Sequence, residues 1–258
     1  MKIAIIGAGS VGTNLHHAFA TKGIRAELVH GRPLTAVGGT GDGVQVTGVP
    51  EADVYIYAIA DHALRDVVTK VHNPKALHLH TSGSMPVDVF GEDKPHAGVL
   101  YFFQSFSREV LIEDWSGIPC FIEGSNIDDV AAIYSLAQSL TSRIYETTQH
   151  DRERLHIAGI FANNYTNLMF QIAEQVLAGT QIPFEALLPL IDQTAAKVHR
   201  LAPRDAQTGP AKRNDQAVMA HHMDVIEDLR FKIEDFSSQE IREVYQALAR
   251  LIAKAHNG

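Results

Sequence analysis

Over its first half the chain alternates short apolar runs with amphipathic stretches. Met1 to Ile6, Ala26 to His30, Val54 to Ile59 and Ala76 to His80 are brief and mostly apolar, with turn residues or polar residues at their ends. Such runs predict strands, and the continuous apolar run Val54 to Ile59 one buried on both faces of a parallel sheet. Between them Val11, Leu15, Ala18 and Phe19, and later Ala63, Leu64, Val67, Val68 and Val71, recur at helical spacing. Each set describes one buried helix face. Gly23, after Thr21 and Lys22, suits the left-handed position that ends the first helix, and Asp61 stands where the second needs an N-cap. Two further strands are expected over His96 to Phe106 and Ile118 to Glu123. A helix then opens at Asn126, with Asp128 and Asp129 in its first turn, and a last strand covers Arg143 to Glu146. The glycine-rich stretch Thr35 to Pro50 holds strand pattern only at Val44 to Thr47.

From Thr147 the strand pattern stops. Thr148 and Asp151 form a capping pair for a helix expected to reach Leu177, with Ile157, Phe161, Leu168 and Ile172 as its apolar stripe and Asn164 on that stripe. Pro183 marks a helix start and Pro189 a kink or a second start, and Leu201 to Asp215 is a polar connection. Ala217 to Leu229 is helical again, and Ser237 with Glu240 caps a final helix. The fold expected is therefore α/β, a Rossmann-like doubly wound and mostly parallel sheet over residues 1–147, followed by an all-helical domain over 148–258. The helical stripes exceed what one thin layer can cover, which predicts a homodimer through the helical domain.

The turn after the first strand carries Gly7, Ala8, Gly9, Ser10, Val11 and Gly12. Strand, G-x-G-x-x-G and helix in that order make a dinucleotide-binding fingerprint, with the pyrophosphate held at the helix N-terminus. The second strand ends in His30, Gly31 and Arg32, with no carboxylate to accept from ribose hydroxyls. A cation there complements a 2′-phosphate, which favours NADP (NADPH) over NAD, although a solvated surface arginine is the alternative. Because open α/β sheets bind ligands at the carboxyl ends of their strands, Ala60, Asp61, Thr81, Ser82 and Gly83 are also expected beside the cofactor.

Composition narrows the class further. In a chain of 258 residues, 45% hydrophobic positions suffice for packed cores, and a single cysteine excludes internal disulfides and zinc-type cysteine spacing. The net charge of −8 argues against a nucleic-acid surface, and no run of eighteen apolar residues marks a membrane span. A cytoplasmic protein acting on a small-molecule substrate is expected. His78 and His80 share a strand face, but no carboxylate at metal-ligand spacing joins them, so packed histidines and no metal are expected. His221 and His222 are adjacent and are expected at the surface or an interface.

With both halves read, the chain resembles the NADP-binding oxidoreductases that include pyrroline-5-carboxylate reductase and the β-hydroxyacid dehydrogenases. It is more similar still to a bacterial family joining a Rossmann-like domain to a helical C-terminal domain of unknown function. The matching residues are Gly7 to Gly12; His80, Thr81, Ser82 and Gly83; His156, Ala158 and Asn164; and Thr208, Gly209, Pro210, Arg213 and Asp215. The resemblance implies hydride transfer between NADPH and a small carbonyl or imine substrate in a cleft between the domains. β-Hydroxyacid dehydrogenases place a catalytic lysine one turn before an asparagine, and here those positions hold Gly159 and Ile160. His156 is then the expected general acid, its ordinary pKa of about 6.5 suiting the role, with Asn164 or Ser82 orienting the substrate. Asn163, Thr208, Arg213 and Asp215 are expected at the substrate, with an ion pair between Arg213 and Asp215 as the alternative for those two. A deazaflavin-dependent NADP reductase and a non-catalytic NADP-binding sensor are the alternatives.

Overall fold

The computed structural model describes residues 1–30, 32–33, 44–45, 48–229 and 236–257. Two compact units divide the chain, Met1–Phe161 and Ala162–Gly258; the first thus extends past residue 147. Its centre is a seven-stranded sheet built from β1 (Ile3–Ile6), β2 (Ala26–Val29), β5 (Val54–Tyr57), β6 (Leu77–His80), β7 (Ala97–Phe102), β8 (Cys120–Gly124) and β9 (Ile144–Glu146). Two short strands, β3 (Arg32–Pro33) and β4 (Val44–Gln45), pair antiparallel apart from it. In space the order is β2-β1-β5-β6-β7-β8-β9, parallel throughout except for the β7–β8 pair.

The two-residue period of the strands feeds two cores, one on each face of the sheet. Ile3, Ile5, Val54, Ile56 and Leu79 meet Leu15 and Phe19 of α1 (Ser10–Thr21) and Ile133 and Leu136 of α3 (Ile127–Gln138). Ala4, Ile6, Tyr55 and Tyr57 meet Leu64, Val67 and Val68 of α2 (Asp61–Val68). The chain leaves β1 toward β2 on one side and returns to β5 on the other, so the strand order reverses between β1 and β5. At such a switch point two connections diverge at the carboxyl ends of the strands and leave a crevice.

Helix ends follow the side chains that can satisfy free backbone groups. Asn126 accepts from the Asp129 amide at 3.0 Å, Thr148 from Asp151 at 3.2 Å, and Ser237 and Glu240 bond each other's amides at 3.3 and 2.8 Å. Lys22 caps α1 and Gly23 follows it with φ +70°. Asp61 is not a cap: Ala60 holds that position, and Asp61 is the first helical residue. Its carboxylate instead accepts from Ser84 Oγ at 2.9 Å, while its charge still favours the helix N-terminus.

The long helix expected over 148–177 is not one uniform α-helix. It begins as α4 (Gln149–Gly159), passes through a π-type turn at Ile160–Asn164, and continues as α5 (Tyr165–Leu177). The second unit continues through α6 (Leu188–Val198), α7 (Pro203–Ala206), α8 (Gln216–Asp228) and α9 (Ser238–Asn257). His222 of α8 bonds the Tyr245 hydroxyl of α9 at 2.8 Å, and Arg242 pairs with Glu227. Among the described residues of this unit only Ala211, Ile226 and Ile241 are buried apolar side chains. Of the expected stripe, Leu168 and Ile172 in this unit are half-buried, while Ile157 and Phe161 at the end of the first unit are 55% and 65% exposed. No helix of the described residues is long and apolar enough to cross a membrane.

Candidate active site

A cleft of about 630 Å³ opens at the switch point, between the glycine turn and the ends of β5, β6 and β7. Three glycines in the turn have separate reasons to lack a side chain. Gly7 sits at φ +110°, and a Cβ there would lie 2.3 Å from the Ala58 carbonyl oxygen. A Cβ on Gly12 would lie 1.9 Å from the Gly7 oxygen, so this glycine lets α1 press against β1. Gly9 differs from both. Its φ of −74° suits any residue, and the nearest atom to its Cβ would be 3.9 Å away. The protein's own packing therefore needs Gly7 and Gly12, while Gly9 opens onto the cleft. No side chain caps α1, so the first N–H groups of that helix lack intrahelical partners beside Gly9. Open backbone donors, a helix dipole and a bare glycine fit a pyrophosphate.

The expected cofactor residues Ala8, Ser10, Val11, Ala60, Asp61, Thr81, Ser82 and Gly83 line the same cleft. His30 is exposed just beyond β2. Gly31 and the Arg32 side chain lie outside the described residues, so the preference for a 2′-phosphate rests on sequence alone. Ser82 Oγ accepts from the Ser84 and Met85 amides at 3.1 and 3.0 Å, which tightens the turn after β6 and leaves its O–H to donate.

Opposite the glycine turn, His156 of α4 meets Tyr101 of β7, with Nδ1 and the phenol oxygen 3.0 Å apart. Both side chains line the cleft. With Nδ1 engaged, Nε2 is the ring nitrogen left for a ligand. Gly83 makes the arrangement possible, because a Cβ there would be 2.7 Å from His156 Nδ1 and 2.9 Å from Tyr101 Cζ. Burial pushes the Tyr101 phenol up to about 12, against the opposing pull of the Arg152 charge, so it stays protonated at neutral pH.

Arg152 lies one helical turn before His156 and is completely buried. It pairs with Glu123 of β8 and donates to the Met85 carbonyl at 2.7 Å, tying α4 to the sheet and to the turn that holds Ser82. His80 is buried beside it. Its Nδ1 accepts from the Ser82 amide at 3.2 Å, and burial, then Arg152, lowers its pKa to about 4, so the ring is neutral. His78 is also a packed histidine, bonded to Tyr57 at 3.0 Å and to the Asn73 carbonyl at 2.8 Å. Among the described residues no group of three or more histidine, cysteine or acidic side chains is placed to hold a metal.

The remaining expected residues belong to the second unit. Asn163 and Asn164 fall in the π-type turn and are exposed, so Asn164 is not on a buried stripe. The string Thr208 to Asp215 forms an irregular turn with φ +103° at Gly209 and +54° at Asn214, and Lys212 Nζ donates to the Gln207 carbonyl at 2.8 Å. Thr208 and Arg213 are exposed. Asp215 caps α8 through the Val218 amide at 3.2 Å, and among the described residues no ion pair joins it to Arg213, because its carboxylate is held at the helix end.

Sequence reasoning passed over Tyr101, Arg152 and Arg108, three residues of this region. Tyr101 carried a usable signal, since it stands near the carboxyl end of an expected strand. Arg152 carried none, because a charged residue in a polar helix turn ordinarily faces solvent.

The chain matches known proteins in two of three comparisons. A protein of Bacteroides fragilis, described as a candidate NADP oxidoreductase, is 33% identical over 98% of each chain with a TM-score of 0.82. An imine reductase of Myxococcus stipitatus in complex with NADP+ has the same fold at 14% identity, covering 99% of this chain and 94% of its own, with a TM-score of 0.60. A reductive aminase of Aspergillus terreus in complex with NADPH and ethyl levulinate is similar at 13% identity over 99% and 95%, with a TM-score of 0.67. None of the curated proteins matches. Residues 118–252, more than half of the chain, match the domain of unknown function DUF2520. The chain therefore belongs to the DUF2520 family.

Proposed function

We propose that the protein is an NADP-dependent oxidoreductase that reduces a small carbonyl or imine compound, in keeping with its resemblance to pyrroline-5-carboxylate reductase and the β-hydroxyacid dehydrogenases. The observation that carries this reading is the pairing, across one cleft, of an open phosphate cradle at Gly9 with a proton-bearing Tyr101–His156 pair. The oxidoreductase descriptions of the structural relatives support the cofactor class. When bound, the nicotinamide supplies a hydride to the substrate carbon.

The protein's own residues handle the matching proton. In its charged form His156 donates Nδ1–H to the Tyr101 oxygen and presents Nε2–H to the substrate oxygen or nitrogen. After proton transfer the ring is neutral and keeps Nδ1–H on Tyr101. Tyr101, held near 12 by burial, is too weak an acid to be the first donor and instead positions the ring. The free Ser82 O–H can donate to the same heteroatom. The reading includes a homodimer through the second unit, supported by the scarcity of buried apolar side chains there.

Calorimetry with NADPH and NADH, followed by a screen for NADPH oxidation with keto acids and cyclic imines, tests the proposal. Binding of NADPH with turnover is expected. His156→Ala should lower kcat by about 100-fold or more, the usual worth of a general acid, and Tyr101→Phe by about tenfold. Failure to bind either dinucleotide would overturn the reading, and tight binding without turnover of any substrate would favour a sensor.

A further inference from the structure

The cleft holds a cation that neither the fingerprint nor the fold class assigns. Arg108 lies in the connection between β7 and β8, lines the cleft, and donates from its guanidinium to the Ala8 carbonyl, one residue before Gly9. The connection that carries it is fastened to the fingerprint helix. The fully buried Asn14 of α1 donates to the Ser107 carbonyl at 2.6 Å and accepts from the Ile112 amide at 3.0 Å. His17 meets Glu113 at 3.1 Å one turn further along the same helix. The neighbouring Glu109 carboxylate is held first by Ser107 Oγ, at 2.5 Å, and feels the Arg108 charge more weakly, and among the described residues no ion pair joins it to the guanidinium.

We propose that Arg108, held on the glycine turn beside the N-terminus of α1, grips the pyrophosphate of the dinucleotide, and so sets overall affinity without choosing between NADPH and NADH. One of its five N–H donors is used on Ala8, which fixes the guanidinium beside Gly9, and the others remain for phosphate oxygens. The helix N–H groups and the arginine then bind the same two phosphates, the first through the backbone and the second through a full charge. The inference rests on the reading of this cleft as a dinucleotide site.

The test is titration calorimetry of the full chain with NADPH and NADH, at several ionic strengths, for wild type, Arg108→Ala and Arg108→Lys. Thermal melting of each variant checks the fold. Arg108→Ala should weaken both dinucleotides by about tenfold or more, the worth of charge-assisted hydrogen bonds, with the NADPH-to-NADH ratio unchanged within about twofold. It should also make affinity less dependent on salt, whereas Arg108→Lys should keep the wild-type salt dependence because it keeps the charge. A purely structural role for Arg108 would weaken binding at the wild-type salt slope, and that result overturns the proposal. So does a loss confined to NADPH, which would place the arginine on the 2′-phosphate, or unchanged affinity for both. If the wild type binds neither dinucleotide, the reading of the cleft fails before Arg108 is in question.

Discussion

The contrast between Gly9 and Gly12 can be tested by giving each a methyl group. At Gly9 the backbone φ of −74° accepts alanine, and the new Cβ would find its nearest neighbour 3.9 Å away. Restricting the unfolded chain should then leave stability unchanged or raise it by about 0.5 kcal/mol. At Gly12 the Cβ would fall 1.9 Å from the Gly7 oxygen. That oxygen belongs to a turn held in place by the Gly7 N–H, which donates to the Val29 carbonyl at 3.0 Å, so moving it away disturbs the β1–β2 pairing. Overpacking of about 3 kcal/mol, offset by about 1 kcal/mol of better helix propensity, leaves a net loss near 2 kcal/mol. For a protein of this size that lowers Tm by about 6 °C. Binding should show the reverse order of sensitivity. In Gly9→Ala the methyl occupies the place of a phosphate oxygen, and loss of one charge-assisted contact weakens NADPH by about tenfold to a hundredfold. Thermal melting and calorimetry on the two variants give both quantities. The reasoning is refuted if Gly9→Ala melts as low as Gly12→Ala, or if it binds NADPH as tightly as the wild type.

Further tests address the groups beneath and beside the cleft. His80 is neutral in the fold with a pKa near 4 against an ordinary 6.5, so between those values the unfolded chain binds the extra proton. Stability should hold above about pH 6.5 and fall by about 3 kcal/mol toward pH 4, and His80→Gln should flatten this part of the profile. Urea unfolding followed by Trp115, the single tryptophan and a buried residue of the first unit, reports it. Arg152→Met would strand Glu123 and the Met85 carbonyl, so a loss of about 3 kcal/mol is expected in the same assay; a change within 0.5 kcal/mol would show that the pair is dispensable. Sedimentation at micromolar concentration should give twice the 28.3 kDa chain mass, and a monomer would count against the helical unit as a dimer surface.

Much of the first unit was legible because its signals are local. A strand buried on both faces must be apolar along its length, and the runs at Ile3–Ile6 and Val54–Tyr57 meet that demand residue by residue. Caps at Asn126, Thr148 and Ser237 were legible for the same reason, since cap and amide lie three residues apart. The helical half was less so. A π-type turn has no sequence period of its own, so the helix expected over 148–177 gave no sign of the change at Ile160–Asn164.

The sequence by itself determined the strand and helix alternation, the fingerprint and its place at a strand end, because these depend on residues only a few positions apart. Tertiary structure decided which glycine is left open to the cleft, since the space a side chain would need is filled at Gly7 by Ala58 and Ile59 and at Gly12 by Gly7, while at Gly9 it is not. It also decided that His156 meets Tyr101, 55 residues away, over a bare Gly83, and that Arg108, 100 residues from Ala8, returns to the fingerprint. Those meetings depend on the order of strands in the sheet and on the path of the connections. Neither is encoded at short range, which is why the proton-bearing pair and the second cation emerge only once the chain is folded.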